Sequence, residues 1–358
     1  MTYLDYQATT PLAPEAFDAM VPWLRDQFAN PHSPHRAGRA AKAAVEVARD
    51  RVAALLPPGG RVAFTSGATE ALNWAIKGAP AGRVVTIATE HAAVLDSVAA
   101  RGDAVVLPVD RDGIVDLDAA ARAIVPGTTL VAAMLVNNEI GAIQPVAALA
   151  RLAHEAGALF LCDAVQGYGR VDLPTEADLI AVSAHKVHGP KGIGALWIRD
   201  GVRPTPLLHG GDQEGGRSGT LSPALCAGFG AAAEVMRTRG AEDAAHVAHL
   251  YDVASSRLAG WTINGSRERR YRGNLNVRRD GLDVSRLMSD LRDVAFSAGS
   301  ACASGSGRAS HVLRAIGLSE AEARSSIRIG FGRYTTGAEL VPALDRIVAA
   351  ADAQRVAA

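Results

Sequence analysis

A lysine at the end of an apolar run is the first candidate for chemistry. Ser183-Ala184-His185-Lys186-Val187-His188-Gly189-Pro190-Lys191-Gly192 follows Leu179–Val182 and closes in glycines. In a parallel α/β sheet, such a lysine points into the crevice beyond the strand ends, where ligands bind. There it can carry pyridoxal 5′-phosphate as a Schiff base. Standing alone it reads more readily as a surface lysine in a loop. Asp163 ends a second run, Ala158–Leu161-Cys162. A carboxylate there can pair with a protonated pyridine nitrogen and keep the ring an electron sink. Gln166, three residues on, is in reach of the ring hydroxyl. By itself Asp163 reads equally as a helix N-cap.

Three more segments extend the constellation. Phe64-Thr65-Ser66-Gly67-Ala68-Thr69-Glu70 joins a strand to a helix carrying Leu72 and Ile76. Its small residues leave backbone N–H groups open, and the helix dipole favours an anion. A cap is the plain reading of this motif alone; beside a lysine and an aspartate at neighbouring strand ends, a phosphate cradle accounts for it better. Thr89-Glu90-His91 again follows a strand, and His91 can stack on a ring or shuttle protons near neutral pH. Phe296-Ser297-Ala298-Gly299-Ser300-Ala301-Cys302-Ala303-Ser304-Gly305-Ser306-Gly307 surrounds a cysteine with small residues. It reads as an exposed thiol on an easily displaced backbone, a setting compatible with reactivity. Cys162 and Cys226 have apolar neighbours and read as inert core cysteines.

These side chains need a scaffold, and its pattern is visible. Val84–Ala88, Leu130–Val136, Leu159–Cys162 and Leu179–Val182 have the form of strands buried on both faces. Helical spacing lies between them. Ala40 to Leu56 aligns Val45, Ala48, Val52 and Leu55 and is stopped by Pro57-Pro58-Gly59-Gly60, and Val146 to Ala156 is stopped near Gly157. Alternation of this kind implies a mostly parallel sheet flanked by helices. The last third differs. Asn274–Val277 and Ile327–Phe331 read as strands, Val284–Leu291 and Leu340–Ala350 as helices, which suits a smaller α+β domain. A helix ending around Arg239-Gly240 places the boundary near residue 245. The expected division is a large cofactor-binding domain over 15–245, with 1–14 and 246–358 forming the small domain that carries the cysteine loop.

Composition narrows the classes. The chain has 358 residues, 48% of them hydrophobic and 21% charged, which excludes a disordered chain and predicts about two domains. Lys+Arg and Asp+Glu are both 37, so a general nucleic-acid binder is not expected. No apolar stretch is long enough for a membrane span, and Met1 to Pro14 lacks the pattern of a secretory signal. Three widely spaced cysteines without a CxxC pair fit a reducing cytoplasm, with no zinc spacing and no metal site expected.

Taken in order, Ser66-Gly67-Ala68-Thr69-Glu70, Thr89-Glu90-His91, Val136-Asn137-Asn138-Glu139-Ile140-Gly141, Asp163-Ala164-Val165-Gln166, Ser183-Ala184-His185-Lys186, Arg217-Ser218-Gly219-Thr220 and Gly299-Ser300-Ala301-Cys302 resemble the cysteine desulfurases. These are fold-type I pyridoxal-phosphate (PLP) enzymes of the class V aminotransferase group. Tyr3-Leu4-Asp5-Tyr6-Gln7-Ala8-Thr9-Thr10-Pro11 and Ser325-Ser326-Ile327-Arg328 extend the resemblance from residue 3 to about 336, and the small residues around Cys302 resemble the NifS/IscS-type branch.

The resemblance implies that Lys186 carries PLP, Asp163 pairs with the pyridine nitrogen and Gln166 with the ring oxygen. It implies phosphate contacts from Ala68, Thr69, Ser183 and His185, with Thr220 of the partner subunit completing them in a homodimer. His91 would stack on the ring and handle protons, Asn138 and Arg328 would take the substrate carboxylate together with Asn30, and Cys302 would accept sulfur. L-cysteine would be the substrate, L-alanine the product, and a sulfur-acceptor protein such as an iron–sulfur scaffold or a tRNA-thiolation protein the recipient. A selenocysteine lyase or another class V aminotransferase shares the Lys186–Asp163 pair, and a non-catalytic sulfur-transfer scaffold would share the fold. Two departures stand out: Gly215 occupies a position where arginine is common, in a loop over 210–217 shorter than usual, and only 30 residues (358 − 328) follow Arg328.

Overall fold

The computed structural model describes residues 1–299 and 310–356, so Cys302 and its segment 300–309 lie outside the described residues. Seven strands make one sheet. Their spatial order is Gly60–Thr65, Gly194–Arg199, Leu179–Ser183, Leu159–Asp163, Thr128–Met134, Arg83–Ile87 and Ala104–Leu107. Gly194–Arg199 runs antiparallel to both its neighbours, and the remaining strands share one direction. The expected α/β architecture of the fold-type I enzymes is therefore present.

The burial pattern explains why these segments read as continuous apolar runs. Alternate residues of one strand enter two different cores. Ile180 and Val182 join Phe160 and Cys162 beneath the Arg36–Ala53 and Val146–Glu155 helices, with Val52 and Leu149 packing from those helices. Leu179 and Ala181 face the other side, against Leu72 and Ile76 of the Ala68–Gly78 helix and Val94 of the Ala92–Ala99 helix. With helices on both faces, neither parity of the strand can be polar.

A smaller antiparallel sheet orders Ser297–Ala298, Ser326–Gly330, Asn274–Arg278 and Thr262–Ile263. Helices Val284–Asp290 and Gly337–Val356 pack on it through Leu287, Leu340, Leu344 and Ile347. The chain's beginning belongs to this unit: Thr2–Tyr3 pairs in parallel with Val294–Ala295, and Leu4 is fully buried in the same apolar cluster. On that partition of apolar side chains we propose the division into 15–245 and 1–14 with 246–358.

One expectation needs correction. The helix expected to end around Arg239-Gly240 runs unbroken for 35 residues, Pro223–Arg257. Gly240 costs about 1 kcal/mol relative to alanine in a helix interior. Packing on both sides outweighs it. Phe229 and Met236 sit in the large core, while Val247, Leu250 and Ala254 sit in the small one. The buried Arg333 guanidinium pairs with Asp243 at 2.5 Å, and His246 Nε2 lies 2.8 Å from the Thr335 carbonyl oxygen. The two units thus share a helix.

After Leu4 the N-terminal chain crosses to the large unit and straps the loop that follows Leu179–Ser183. Thr10 N–H and its hydroxyl both donate to the His185 carbonyl at 2.9 Å. His188 N–H donates to Thr10 Oγ1 at 2.8 Å, and Ala13 N–H to the His188 carbonyl at 2.9 Å. His188 is the only non-glycine among the described residues with left-handed backbone, φ 67°. Burial, then the charges of Arg333 and Arg170, push its imidazole down to about 3. The unfolded chain therefore takes up this proton first, and stability falls as pH drops from about 6.5 toward 3. His188→Asn tolerates the left-handed backbone and removes the titration. Its loss of unfolding free energy between pH 7 and pH 5 should be smaller than that of the wild type by about 2 kcal/mol. Parallel urea titrations at the two pH values check this, and equal losses would remove His188 as the cause.

Candidate active site

The C-terminal ends of the parallel strands, with the N-terminal end of Gly194–Arg199, open into a cavity of about 630 Å³. Most of the candidate residues meet there, each delivered by a strand end. Ala68 and Thr69 line it at the start of the Ala68–Gly78 helix. That helix has no side-chain cap, because Gly67 stands at the N-cap position, so its first backbone N–H groups face the cavity unscreened by a side chain. Gly194 permits this approach: a Cβ there would lie 2.7 Å from Gly67 C and 2.9 Å from Ala68 N. Glu70 braces the turn by accepting from Ser66 N–H at 2.7 Å and pairing with Arg217 Nε at 2.7 Å. Burial raises its pKa, but Arg217 and the Ser66 N–H outweigh that and hold it below the usual range.

Lys186 sits in the tight turn Ala184–Lys186 directly after its strand. Its Nζ donates to the carbonyl oxygens of Gln7 at 2.5 Å and Ala8 at 2.8 Å. Asp163 is buried, and one oxygen accepts from Val165 N–H at 3.0 Å. Burial raises its pKa, against the lowering effect of the Val165 N–H and of nearby His91 and Lys186. A carboxyl group in that position is stabilised as an anion by any further cation in the cavity. Gln166 donates to the Gln7 carbonyl at 2.9 Å, and Ser183 ends its strand on the cavity wall.

His91 caps the Ala92–Ala99 helix, with Nδ1 accepting from Ala93 N–H at 3.1 Å. In the neutral ring the proton then resides on Nε2. Burial, followed by Lys186 and His311, lowers the pKa of this ring against the opposing pull of Asp163. His185 Nδ1 lies 3.1 Å from Thr9 Oγ1, and burial pushes its ring down to about 4, so it is neutral at pH 7.

Arg328 comes from the small sheet and lines the same cavity, with Asn138 beside it. Arg328 Nη1 donates to the Asn138 carbonyl at 3.1 Å. One candidate does not join them: Asn30 is exposed, accepts from His32 N–H at 2.9 Å and does not line the cavity. Thr220, expected to act from the partner subunit, is exposed and does not line the cavity of its own chain. Cys302 lies outside the described residues.

Several contacts come from residues inside the quoted motifs that were given no role there. The carbonyls of Gln7 and Ala8, Thr9, and the Asp5 carboxylate reach the site from the chain's beginning. Glu90 and Glu139 are buried inside two recognised motifs. Glu90 accepts from Met134 N–H at 2.5 Å, and Glu139 accepts from the Ser310 hydroxyl. Their burial next to apolar strand ends was the available clue. Among the described residues, no group of three His, Cys, Asp or Glu converges as a metal site, and no helix is long and apolar enough to cross a membrane.

The donor set fits PLP: a lysine amine for its aldehyde, a buried carboxylate for its pyridinium, an imidazole beside both, and an uncapped helix N-terminus for its phosphate. Comparison with known proteins points the same way. The model of the family Aminotransferase class-V matches residues 2–341. A protein named cysteine desulfurase IscS from Rickettsia felis is 41% identical over 99% of this chain and 92% of its own length. The solved structure titled NifS-like protein superposes with TM-score 0.89 at 33% identity, covering 97% of this chain and 98% of that one. A structure titled SspA in complex with cysteine gives TM-score 0.83 at 34% identity over 94% of this chain and all (100%) of that one. The chain belongs to the class V aminotransferase family. Within that family its resemblance is to the NifS/IscS-type cysteine desulfurases.

Proposed function

We propose that this protein is a PLP-dependent cysteine desulfurase that converts L-cysteine to L-alanine, moving the sulfur to Cys302 and then to an acceptor protein. The observation that carries the reading is convergence: Lys186, Asp163, His91 and Arg328, from four separate segments, face one cavity beside an uncapped helix N-terminus. Bound there, PLP supplies the electron sink that lets bonds at the substrate Cα and Cβ be broken.

The chain's own groups divide the remaining work. Ala68, Thr69, Ser183 and His185 hold the phosphate, with the partner subunit's Thr220 in a homodimer. Asp163 keeps the pyridine nitrogen protonated, and Gln166 holds the ring oxygen. Arg328 and Asn138 take the substrate carboxylate. Lys186 removes the Cα proton, and the neutral imidazole of His91 accepts a thiol proton. The Cys302 thiolate then forms an S–S bond to the substrate sulfur as the C–S bond breaks. L-Cysteine and the Cys302 thiol become L-alanine and a Cys302 persulfide; carbon is reduced and sulfur oxidised, with no outside oxidant. A cytoplasmic setting and an iron–sulfur scaffold or tRNA-thiolation protein as acceptor complete the reading.

Incubation of the PLP-bound protein with L-cysteine and a reductant tests it. Alanine and sulfide are expected in equal amounts. Sulfide accompanied by pyruvate, or neither product, would overturn the proposal.

A further inference from the structure

The guanidinium of Arg328 is already engaged by an anion of its own chain. Its side chain is 1% exposed, and Nη2 donates to Asp5 Oδ1 at 2.7 Å and to Ser297 Oγ at 3.3 Å. Nη1 donates to the Asn138 carbonyl at 3.1 Å. The Nε–H is buried and has no hydrogen-bond partner among the described residues. Asp5 is not free to swing away. Its Oδ1 also accepts from the Ser297 hydroxyl at 2.8 Å, and its backbone oxygen accepts from Ala8 N–H at 2.9 Å and Tyr3 Oη–H at 3.1 Å.

We propose that Asp5 is a positioning residue that sets the strength of the substrate-carboxylate site: it anchors the Nη2 end of Arg328 and weakens the grip of the remaining guanidinium N–H groups on a bound amino acid. The proposal rests on the reading of Arg328 as the carboxylate anchor. A buried N–H without an acceptor carries a desolvation cost, and an incoming carboxylate relieves it. That carboxylate must share one guanidinium with Asp5, so two anions face a single cation. The orientation given by Asp5 is favourable and its charge is not. A carboxylate held this way is gripped in a defined place yet released readily, which suits a reaction whose product, L-alanine, keeps the same carboxylate as its substrate.

The two contributions separate by substitution. Asp5→Asn retains an acceptor oxygen and removes the charge; Asp5→Ala removes both. With PLP-bound protein, Asp5→Asn should lower the KM for L-cysteine and the Kd for L-alanine, measured by calorimetry, by about three- to tenfold. Asp5→Ala should raise both severalfold, because Arg328 loses its anchor. If Asp5→Asn and Asp5→Ala shift KM in the same direction, or Asp5→Asn shifts neither constant, the proposal fails. The wild type provides a measurement independent of variant folding: it should bind L-alanine less than about tenfold better than L-alaninamide, which lacks the negative charge. A preference above a hundredfold would also refute the counter-charge. Wild-type protein that makes no alanine from L-cysteine would refute the functional reading instead, and the L-alanine calorimetry would still decide the role of Asp5.

Discussion

Lys186→Ala is expected to abolish alanine formation from L-cysteine, a loss of at least about a thousandfold, while PLP can still be held through its phosphate and ring contacts. The expectation follows from position. Two lysines, Lys186 and Lys191, line the cavity. Lys186 alone follows its strand end within the Ala184–Lys186 turn, whose backbone is locked by Thr10 on the His185 carbonyl. Its amine is directed to the Gln7 and Ala8 carbonyls, near the Gln166 side chain that shares the Gln7 oxygen. In the proposed mechanism this amine serves twice, binding the cofactor and moving the Cα proton, and alanine replaces neither role. Borohydride reduction of the wild type followed by peptide mapping should recover the pyridoxyl group on Lys186. Recovery on Lys191 or Lys77 would refute the assignment.

Cys302→Ala should leave PLP and L-cysteine binding intact and reduce persulfide and alanine formation about a thousandfold. The other two thiols are unsuited to the task. Cys162 is fully buried in the Leu159–Asp163 strand, and burial followed by the Asp163 and Glu90 charges drives its pKa well up. Cys226 is fully buried in the long helix, and burial followed by Glu214 pushes it to about 12. Neither lines the cavity, and neither can supply a thiolate near neutral pH. The residues on either side of the Cys302 segment are tied to the site. Gly299 N–H donates to the Ser326 carbonyl at 2.8 Å, two residues from Arg328. Asn276 Nδ2 bridges the carbonyls of Gly299 at 3.2 Å and Glu139 at 3.0 Å, while Ser310 donates to the Glu139 carboxylate. Alkylation after a brief exposure to L-cysteine, followed by mass spectrometry, should locate the persulfide on Cys302. Persulfide on Cys162 or Cys226, or full activity in Cys302→Ala, would remove this assignment.

The strands Arg83–Ile87, Thr128–Met134, Leu159–Asp163 and Leu179–Ser183 were legible because burial on both faces leaves a local mark, a short run without polar positions, whereas Ala104–Leu107 and Gly194–Arg199 were not read. Leu159–Cys162 and Leu179–Val182 fall within one residue of the strands Leu159–Asp163 and Leu179–Ser183. Lys186, Asp163 and His91 were legible for a related reason, since each stands at the end of such a run and a parallel sheet gathers strand ends at one edge. The long Pro223–Arg257 helix was not, because Gly240 is a local break signal and the packing that overrides it comes from two cores distant in sequence. Asp5 and Arg328 are 323 positions apart, and the Lys186 contact to Gln7 spans 179. Such contacts have no spacing or period to reveal them. They exist only once the first strand has paired with Val294–Ala295 and drawn the N-terminal strap across the cavity. Residue type and local period determined the sheet, its helices and the groups at the strand ends. Chain closure over hundreds of residues decided which backbone oxygens hold Lys186 and which carboxylate holds Arg328, because those partners are set by where distant segments meet.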